Sequence, residues 1–135
     1  MASGSLGAPL LSEREFPGTT NNAILKGSDA QLRTFARRHL GYSGTKGLDI
    51  VARFNRKFVV AEAKFLTEFG GHQNAQFEDA KALLNDSSIQ AIKAAILDGV
   101  LYIPSNEKMH RFLVENKEQH NIMSALVLRE FLYQV

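Results

Sequence analysis

The sequence contains no cysteine, and this absence removes several classes of chemistry. A disulfide framework, a zinc site built from thiolates and a cysteine nucleophile are all excluded. Long apolar runs are also absent, because no stretch approaches the ~18 residues that a membrane-spanning helix needs. The first residues lack the basic start and apolar block of a secretory signal. We therefore expect a soluble, cytoplasmic protein with no membrane partner.

The sequence also lacks a large excess of one charge sign. Its formal net charge is +2, which by itself gives only a weak reason to expect a nucleic-acid partner. The basic residues are unevenly distributed, because residues 26–57 contain eight lysines and arginines and only two acidic residues. This segment predicts either a positive surface that attracts phosphates or an ordinary solvated face.

The length of 135 residues suits one ordinary domain with a single core and is too short for two. Hydrophobic residues make up 44% of the chain and charged residues 22%, which are values typical of globular proteins. The stretch rich in glycine, serine and proline lies near the start, where Pro17-Gly18 suits a turn. We expect residues 1–27 to form a partly flexible N-terminal arm and residues 28–135 to form the domain.

Two local patterns predict a helix followed by a β-hairpin. Ser28 and Gln31 have the spacing of a capping box at the start of a helix. Two segments rich in Val, Ile and Phe follow it, at residues 48–54 and 57–65. The two residues between these segments, Asn55-Arg56, suit the tight turn of a hairpin.

The later segments alternate between helical and extended patterns. Apolar spacings predict, in chain order, a helix at residues 73–84, a short helix carrying Ile89, Ile92 and Ile96, a strand at 100–103, a helix at 105–114 and a final helix at 123–135. For the last segment a strand is the alternative, because its Val and Leu content is high. Helix, hairpin, helix, strand and helix together predict an α/β fold, with a mixed β-sheet flanked by α-helices.

The register of the hairpin brings ionisable residues together. With a two-residue loop, Phe54 faces Lys57 and Asp49 lies directly opposite Glu62, with Cβ atoms ~5 Å apart. Lys64 follows Glu62 by two residues and shares its face. Two opposed carboxylates repel each other, and burial among apolar neighbours adds a desolvation cost. A bound divalent cation would relieve both effects.

Carboxylates without cysteine or clustered histidine favour Mg²⁺ over zinc, with Mn²⁺ as a substitute. Asp49 and Glu62 would supply carboxylate ligands, and Ala63 would supply a backbone carbonyl. Such an ion lowers the pKa of a bound water that attacks phosphorus, and Lys64 would orient or deprotonate that water. The alternative is an ordinary exposed strand face. Because the strand is otherwise apolar, the pattern favours phosphodiester hydrolysis.

The segments Gly47-Leu-Asp49-Ile-Val-Ala-Arg-Phe and Phe58-Val-Val-Ala-Glu62-Ala-Lys64-Phe resemble the motif of the PD-(D/E)xK nucleases. This resemblance implies a restriction-endonuclease-like fold, with Asp49 and Glu62 as metal ligands and Lys64 as the catalytic lysine. Leu48 stands where the motif's name places proline, which many members lack. The glycine-rich stretch after Lys64 looks most like type II restriction endonucleases. Because those enzymes are usually longer, we expect either a catalytic domain or an enzyme with minimal sequence-reading elements.

Further residues are candidates for contacts with DNA. Arg53 follows Asp49 by four residues and shares its face, which makes it the first candidate for a phosphate contact. The other candidates are His72, Gln73, Gln76, Arg33, Arg37 and Arg38. Most of these residues suit an ordinary polar surface equally well. Glu13 or Glu15 would supply an acid that supports the metal site if their segment is helical.

The loop sequence Gly44-Thr-Lys46-Gly47 has a superficial likeness to a phosphate-binding loop. The full pattern Gly-x-x-x-x-Gly-Lys-Ser/Thr is not present, so nucleotide binding is excluded. The sequence alone therefore gives Lys46 no role.

The leading hypothesis is a Mg²⁺-dependent type II restriction endonuclease that cuts double-stranded DNA. A homodimer is expected, because two strands need two active sites. One alternative is a Holliday-junction resolvase of the same superfamily, which carries its acids and lysine in the same order and would prefer a four-way junction. The other is a noncatalytic DNA- or protein-binding module, for which two opposed acids beside a lysine have no evident use.

Overall fold

A six-stranded mixed sheet, with strands in the order β1-β2-β3-β4-β5-β6, forms the centre of the computed structural model. The structure describes residues 6–66, 71–99 and 121–135. The strands are β1 (Leu10–Leu11), β2 (Ala23–Leu25), β3 (Ile50–Phe54), β4 (Lys57–Leu66), β5 (Ile92–Gly99) and β6 (Asn121–Met123). The α-helices are α1 (Asp29–His39), α2 (Gly71–Leu84) and α3 (Leu128–Gln134), with 3-10 turns at Phe16–Gly18 and Ala125–Val127. The predicted α/β architecture is confirmed.

The hairpin of β3 and β4 has the predicted register. Its pairs run from Phe54 opposite Lys57 to Ile50 opposite Ala61. Both turn residues have positive φ angles, 54° at Asn55 and 67° at Arg56, as a type I′ turn requires. This turn matches the right-handed twist of the two strands. On the other side of β4, strand β5 pairs in parallel, so β4 is an interior strand.

Each face of the sheet is covered by helices, because side chains alternate along every strand. On one face, Ile50, Ala52 and Phe54 pack with Leu128 and Leu132 of α3. On the opposite face lie Val51 and Val60 of the hairpin, with Leu32 and Phe35 of α1 and Leu83 of α2. We call this second face the α1/α2 face. It is the face that Asp49, Glu62 and Lys64 share by sequence parity.

The start and end of α1 have clear local causes. Ser28 and Gln31 form the predicted capping box, in which each side chain accepts a hydrogen bond from the other residue's backbone N–H. Gly41 follows the helix with a φ of 76°. A Cβ atom there would also lie 2.5 Å from the carbonyl oxygen of Ser88. Glycine is required on both counts, and the chain turns here towards β3.

Residues 92–99 are a strand, so the prediction of a helix carrying Ile92 and Ile96 was wrong. The strand is covered on both faces, because Ala94 and Ile96 pack on one side while Ala95 and Leu97 are buried on the other. A strand that is buried on both faces reads as a continuous apolar run without the period of two. The strand predicted at 100–103 and the helix predicted at 105–114 lie outside the described residues.

The last segment begins later as a helix than its pattern predicts. Residues 121–123 form β6, which pairs in parallel with β5, and a 3-10 turn precedes α3 at Leu128. Of the predicted helix, Met123 pairs with Ile96 in the sheet and residues 125–127 form the 3-10 turn.

The first 27 residues, expected as an N-terminal arm, contribute two strands to the sheet. β2 is antiparallel to β3, and β1 is parallel to β2. Ile24 and Leu25 are buried on opposite faces, and Phe16 is fully buried against α1. The part of this segment that the structure describes, from residue 6 onwards, is therefore held by core packing and sheet hydrogen bonds.

We predict that Arg56→Gly stabilises the protein by about 0.5 to 1 kcal/mol, because glycine adopts positive φ without the steric cost that a side chain incurs. Urea denaturation would measure the change. Arg56→Ala is the matched control, since it removes the same side chain but keeps the cost, and it should give no gain. Equal stabilities of the two variants would contradict this account of the turn.

Candidate active site

The site lies on the α1/α2 face, at the point where β4 extends beyond its shorter partner β3. Glu62 is only 3% exposed, although it carries a carboxylate. The Nζ atom of Lys64 lies 3.4 Å from Oε2 of Glu62, and the lysine side chain remains 22% exposed. The predicted acid and lysine of β4 therefore form a contact pair, with the acid inside and the lysine towards solvent.

Asp49 lies beside this pair, but it is not directly opposite Glu62 as predicted. The paired register ends at Ile50 and Ala61, so Asp49 lies one residue before β3 and is not a ladder partner of Glu62. Its backbone N–H donates to the carbonyl of Ala61 at 3.2 Å. Its Oδ2 accepts a hydrogen bond from the backbone N–H of Ala63 at 2.7 Å. The Asp49 carboxylate thus accepts the hydrogen bond that a backbone carbonyl of β3 would have accepted if the ladder had continued.

The backbone carbonyl of Ala63 belongs to the same edge of β4. In an antiparallel ladder, the N–H and C=O groups of one residue point towards the same neighbouring strand. The N–H of Ala63 points towards Asp49, so its carbonyl faces the side from which β3 has withdrawn. Two carboxylates and one backbone carbonyl are therefore available at one end of the hairpin.

The electrostatic setting of Glu62 is unfavourable for its charged form. Burial raises the pKa of this carboxyl to about 7, with further increases from the negative charges of Asp49 and Asp79. Lys64 acts in the opposite direction, through its charge and its hydrogen bond, but does not cancel the effect of burial. A group with this pKa exchanges its proton near neutral pH.

Two clefts meet the site from different sides. A cleft of about 240 Å³ beside Glu62 is lined by the loop between α1 and β3 and by the end of α2, including Tyr42, Lys46, Asp79 and Asp86. A second, of about 300 Å³, lies beside Asp49 and is lined by Lys26 and Asp29 among others. The sequence did not single out Asp29, Asp79 or Tyr42. Asp29 has the pattern of an ordinary helix-start acid, and no spacing links Asp79 or Tyr42 to the motif.

The donor set fits a hard divalent cation. Asp49 and Glu62 offer carboxylate oxygens and Ala63 offers a carbonyl, and Mg²⁺ typically takes one or two protein carboxylates while it keeps several waters. The described ranges contain no group of three or more acids, histidines or cysteines arranged around one point. A fully protein-made cage of the kind that holds structural calcium or zinc is therefore not seen in those ranges.

Arg53 does not occupy the position expected for a phosphate contact. It lies on the α1/α2 face as predicted, but it is only 4% exposed. Its Nε donates to the carbonyl of Asn21 at 2.9 Å, its Nη1 donates to that of Phe16 at 2.8 Å, and the guanidinium stacks 4.4 Å from the Phe16 ring centre. The arginine attaches residues 16–21 to the sheet, and burial lowers its pKa.

The other predicted residues fall in several places. Arg33 donates from Nη1 to the carbonyl of Thr45 at 2.8 Å, while Arg37 and Arg38 are exposed in the last turn of α1. Oε1 of Glu15 accepts from the hydroxyl of Ser12 at 2.8 Å, at a 3-10 turn and not on an α-helix. Glu13 lines a separate cleft with Lys26 and Gln31. The side chains of His72, Gln73 and Gln76, in the first half of α2, lie outside the described part.

The whole chain, residues 1–135, matches the family model described as Tsp45I type II restriction enzyme. The chain belongs to this family. It is therefore a restriction endonuclease, and its substrate is DNA. No curated protein and no solved structure matches the chain. In the described portion, no helix of this restriction enzyme is both long and apolar enough to cross a membrane.

Membership in this family decides between the three functions that the sequence left open. A restriction endonuclease was the leading hypothesis, and the family match confirms it at that level. It favours neither a junction resolvase nor a noncatalytic module.

The raised pKa of Glu62 predicts a specific dependence of stability on pH when no divalent cation is present. Between the unfolded value of 4.5 and the folded value of about 7, the folded state binds more protons than the unfolded state, so stability falls as pH rises. The total loss is at most about 3 kcal/mol, and it should vanish in Glu62→Gln. Urea denaturation in EDTA, from about pH 5 to about pH 8, measures this difference.

The control is Glu130→Gln, which removes an exposed carboxylate of α3. This variant should keep the pH dependence of the wild type. Stability curves that run parallel for the wild type and Glu62→Gln over the whole pH range would show that Glu62 has an ordinary pKa.

Proposed function

We propose that this restriction endonuclease hydrolyses the phosphodiester bonds of double-stranded DNA at Asp49, Glu62 and Lys64, as a Mg²⁺-dependent enzyme of the PD-(D/E)xK type. One observation carries the proposal. The carboxylate of Asp49 is bonded to the N–H of Ala63, directly between a buried acid and the lysine that contacts it. Three charged groups thus converge where the ladder of the hairpin ends.

The arrangement suits a cation for an electrostatic reason. Glu62 is buried and lies within reach of the negative charges of Asp49 and Asp79, so its ionised form needs more positive charge than Lys64 supplies. Asp49, Glu62 and the carbonyl of Ala63 would hold the ion. When bound, Mg²⁺ would polarise the phosphate and make a water molecule a better nucleophile.

Lys64 has two features that suit a catalytic lysine. It lies on the same strand face as Glu62, and its side chain is partly exposed, so a phosphate can approach it. Its positive charge would offset the negative charge that grows on the phosphate oxygens during attack. Its N–H groups would also orient the attacking water through hydrogen bonds.

We expect Asp49→Ala, Glu62→Gln and Lys64→Ala each to lower DNA cleavage by about a thousandfold or more, which is typical for the loss of one charge-stabilising group in an active site. Long phage DNA with many different sequences is the substrate, because the recognition sequence is not fixed by this site. Cleavage rates are read from gels at saturating Mg²⁺. Lys57→Ala, at the opposite end of β4, should cut like the wild type.

Two measurements test the requirement for a cation, namely cleavage in EDTA and the effect of Mg²⁺ on the Tm. EDTA should abolish cleavage, and Mg²⁺ should raise the Tm of the wild type in the absence of DNA, because a ligand that binds only the folded state stabilises it. Asp49→Ala and Glu62→Gln should lose this rise in Tm, while Lys64→Ala should keep it. Undiminished cleavage by any of the three variants would refute the proposed site.

A homodimer would act on the duplex, with one site for each strand. The support is a count of sites, because the described part of one chain offers one such site and cleavage of both strands needs two cuts. Sedimentation of the protein with a duplex in EDTA should give the mass of two chains per DNA. Double-strand cleavage by a complex with a single chain would contradict the dimer.

A further inference from the structure

The loop between α1 and β3 is fixed by side chains from three directions. The hydroxyl of Tyr42 donates to the carbonyl of Lys46 at 3.0 Å, and Arg33 on α1 donates to the carbonyl of Thr45. The hydroxyl of Ser43 donates to Oδ2 of Asp86, just after α2, at 3.3 Å. We call residues 42–47 the Lys46 loop. Hydrogen bonds thus join this loop to itself, to α1 and to the chain that follows α2.

Glycine at position 44 allows the Tyr42 side chain to cross the loop. A Cβ atom at this position would overlap the hydroxyl and the ring of Tyr42. Tyr42 is itself buried, with 7% of its surface exposed, and it lines the cleft beside Glu62. The close approach lets one buried ring both line the cleft and hold the carbonyl of Lys46.

The charged residues that line this cleft are acidic except for Lys46, and acidic residues alone would repel DNA. Three carboxylates, Glu62, Asp79 and Asp86, line it together with Lys46. The Lys46 side chain is exposed, and among the residues that the structure describes its ammonium group has no ion pair or hydrogen bond. A cation beside three acids that pairs with none of them is available to an incoming anion.

We propose that Lys46 binds a DNA phosphate next to the phosphodiester bond that is cut. The Lys46 loop and Glu62 line one cleft, so a strand whose reacting phosphate lies at Glu62 brings a neighbouring phosphate to the loop. Lys46 is thus a binding residue, and Tyr42 is a positioning residue that holds its backbone. This inference rests on the proposed function, because it takes Glu62 as the site of cleavage.

The competing role for Lys46 is to balance the acids of the cleft in the free protein. In that case its removal would lower stability and leave DNA affinity unchanged. The two roles therefore differ in what they predict for binding, and stability measured on the same variant separates them.

The test is binding of Lys46→Ala to a fluorescein-labelled duplex of mixed sequence, in EDTA, over a series of NaCl concentrations. Loss of one phosphate contact should weaken affinity by roughly tenfold and reduce the slope of log K against log salt by about 0.9. Lys46→Arg should restore both values, because it keeps the charge. Lys57→Ala is the matched control; it removes an exposed lysine roughly 17 Å along β4 from Glu62 and should bind like the wild type.

The Tyr42→Phe variant tests whether the position of Lys46 matters when its charge is unchanged. This variant keeps every charge, so the salt slope should equal that of the wild type, while affinity should fall because Lys46 is less well held. A wild-type affinity for Tyr42→Phe would refute the positioning role of Tyr42.

An unchanged affinity and salt slope in Lys46→Ala would overturn the inference, and so would an affinity loss that Lys46→Arg does not restore. The proposed function fails by a different result, namely cleavage by the variants of Asp49, Glu62 or Lys64 at the wild-type rate. Inactive variants of those residues together with normal DNA binding by Lys46→Ala would refute the Lys46 inference alone. Thermal melting checks that each variant is folded.

Discussion

The unequal lengths of the two hairpin strands determine the character of the site. β4 has ten residues and β3 has five, so the hydrogen-bonding edge of β4 continues after its partner has turned away. A backbone N–H group left at such an edge takes its acceptor from water or from a nearby side chain. The carboxylate of Asp49 is that acceptor for Ala63. The residue at which β3 begins therefore determines both where the ladder ends and where the Asp49 carboxylate lies.

This arrangement separates the three charged groups by their exposure. Glu62 is buried on the α1/α2 face, Asp49 is half-buried at the edge, and Lys64 reaches solvent. The same burial that destabilises the charge of Glu62 also excludes water from around it, and a lower local dielectric strengthens its attraction to any cation. Burial of the Glu62 carboxylate thus lowers the stability of the free protein and would favour binding of a metal.

Much of this could be predicted from the sequence, because the hairpin depends on local rules. A two-residue loop fixes the register, and the register fixes which residues share a face. The end of the ladder at Ile50 could not be predicted, since it depends on the path of the Lys46 loop and on α1. The case of Arg53 is similar. Its face was predicted correctly, but its burial results from the packing of Phe16 and of the chain around Asn21, which no local pattern encodes.

The fixed conformation of the Lys46 loop would affect the affinity of the proposed contact with DNA. A flexible loop loses conformational entropy when it closes on DNA, and this loss weakens binding. Here Gly44, Tyr42 and the bond from Ser43 to Asp86 order the loop before DNA arrives. If the cleft beside Glu62 receives DNA as proposed, it would act as a preformed template that selects a backbone path for the DNA strand.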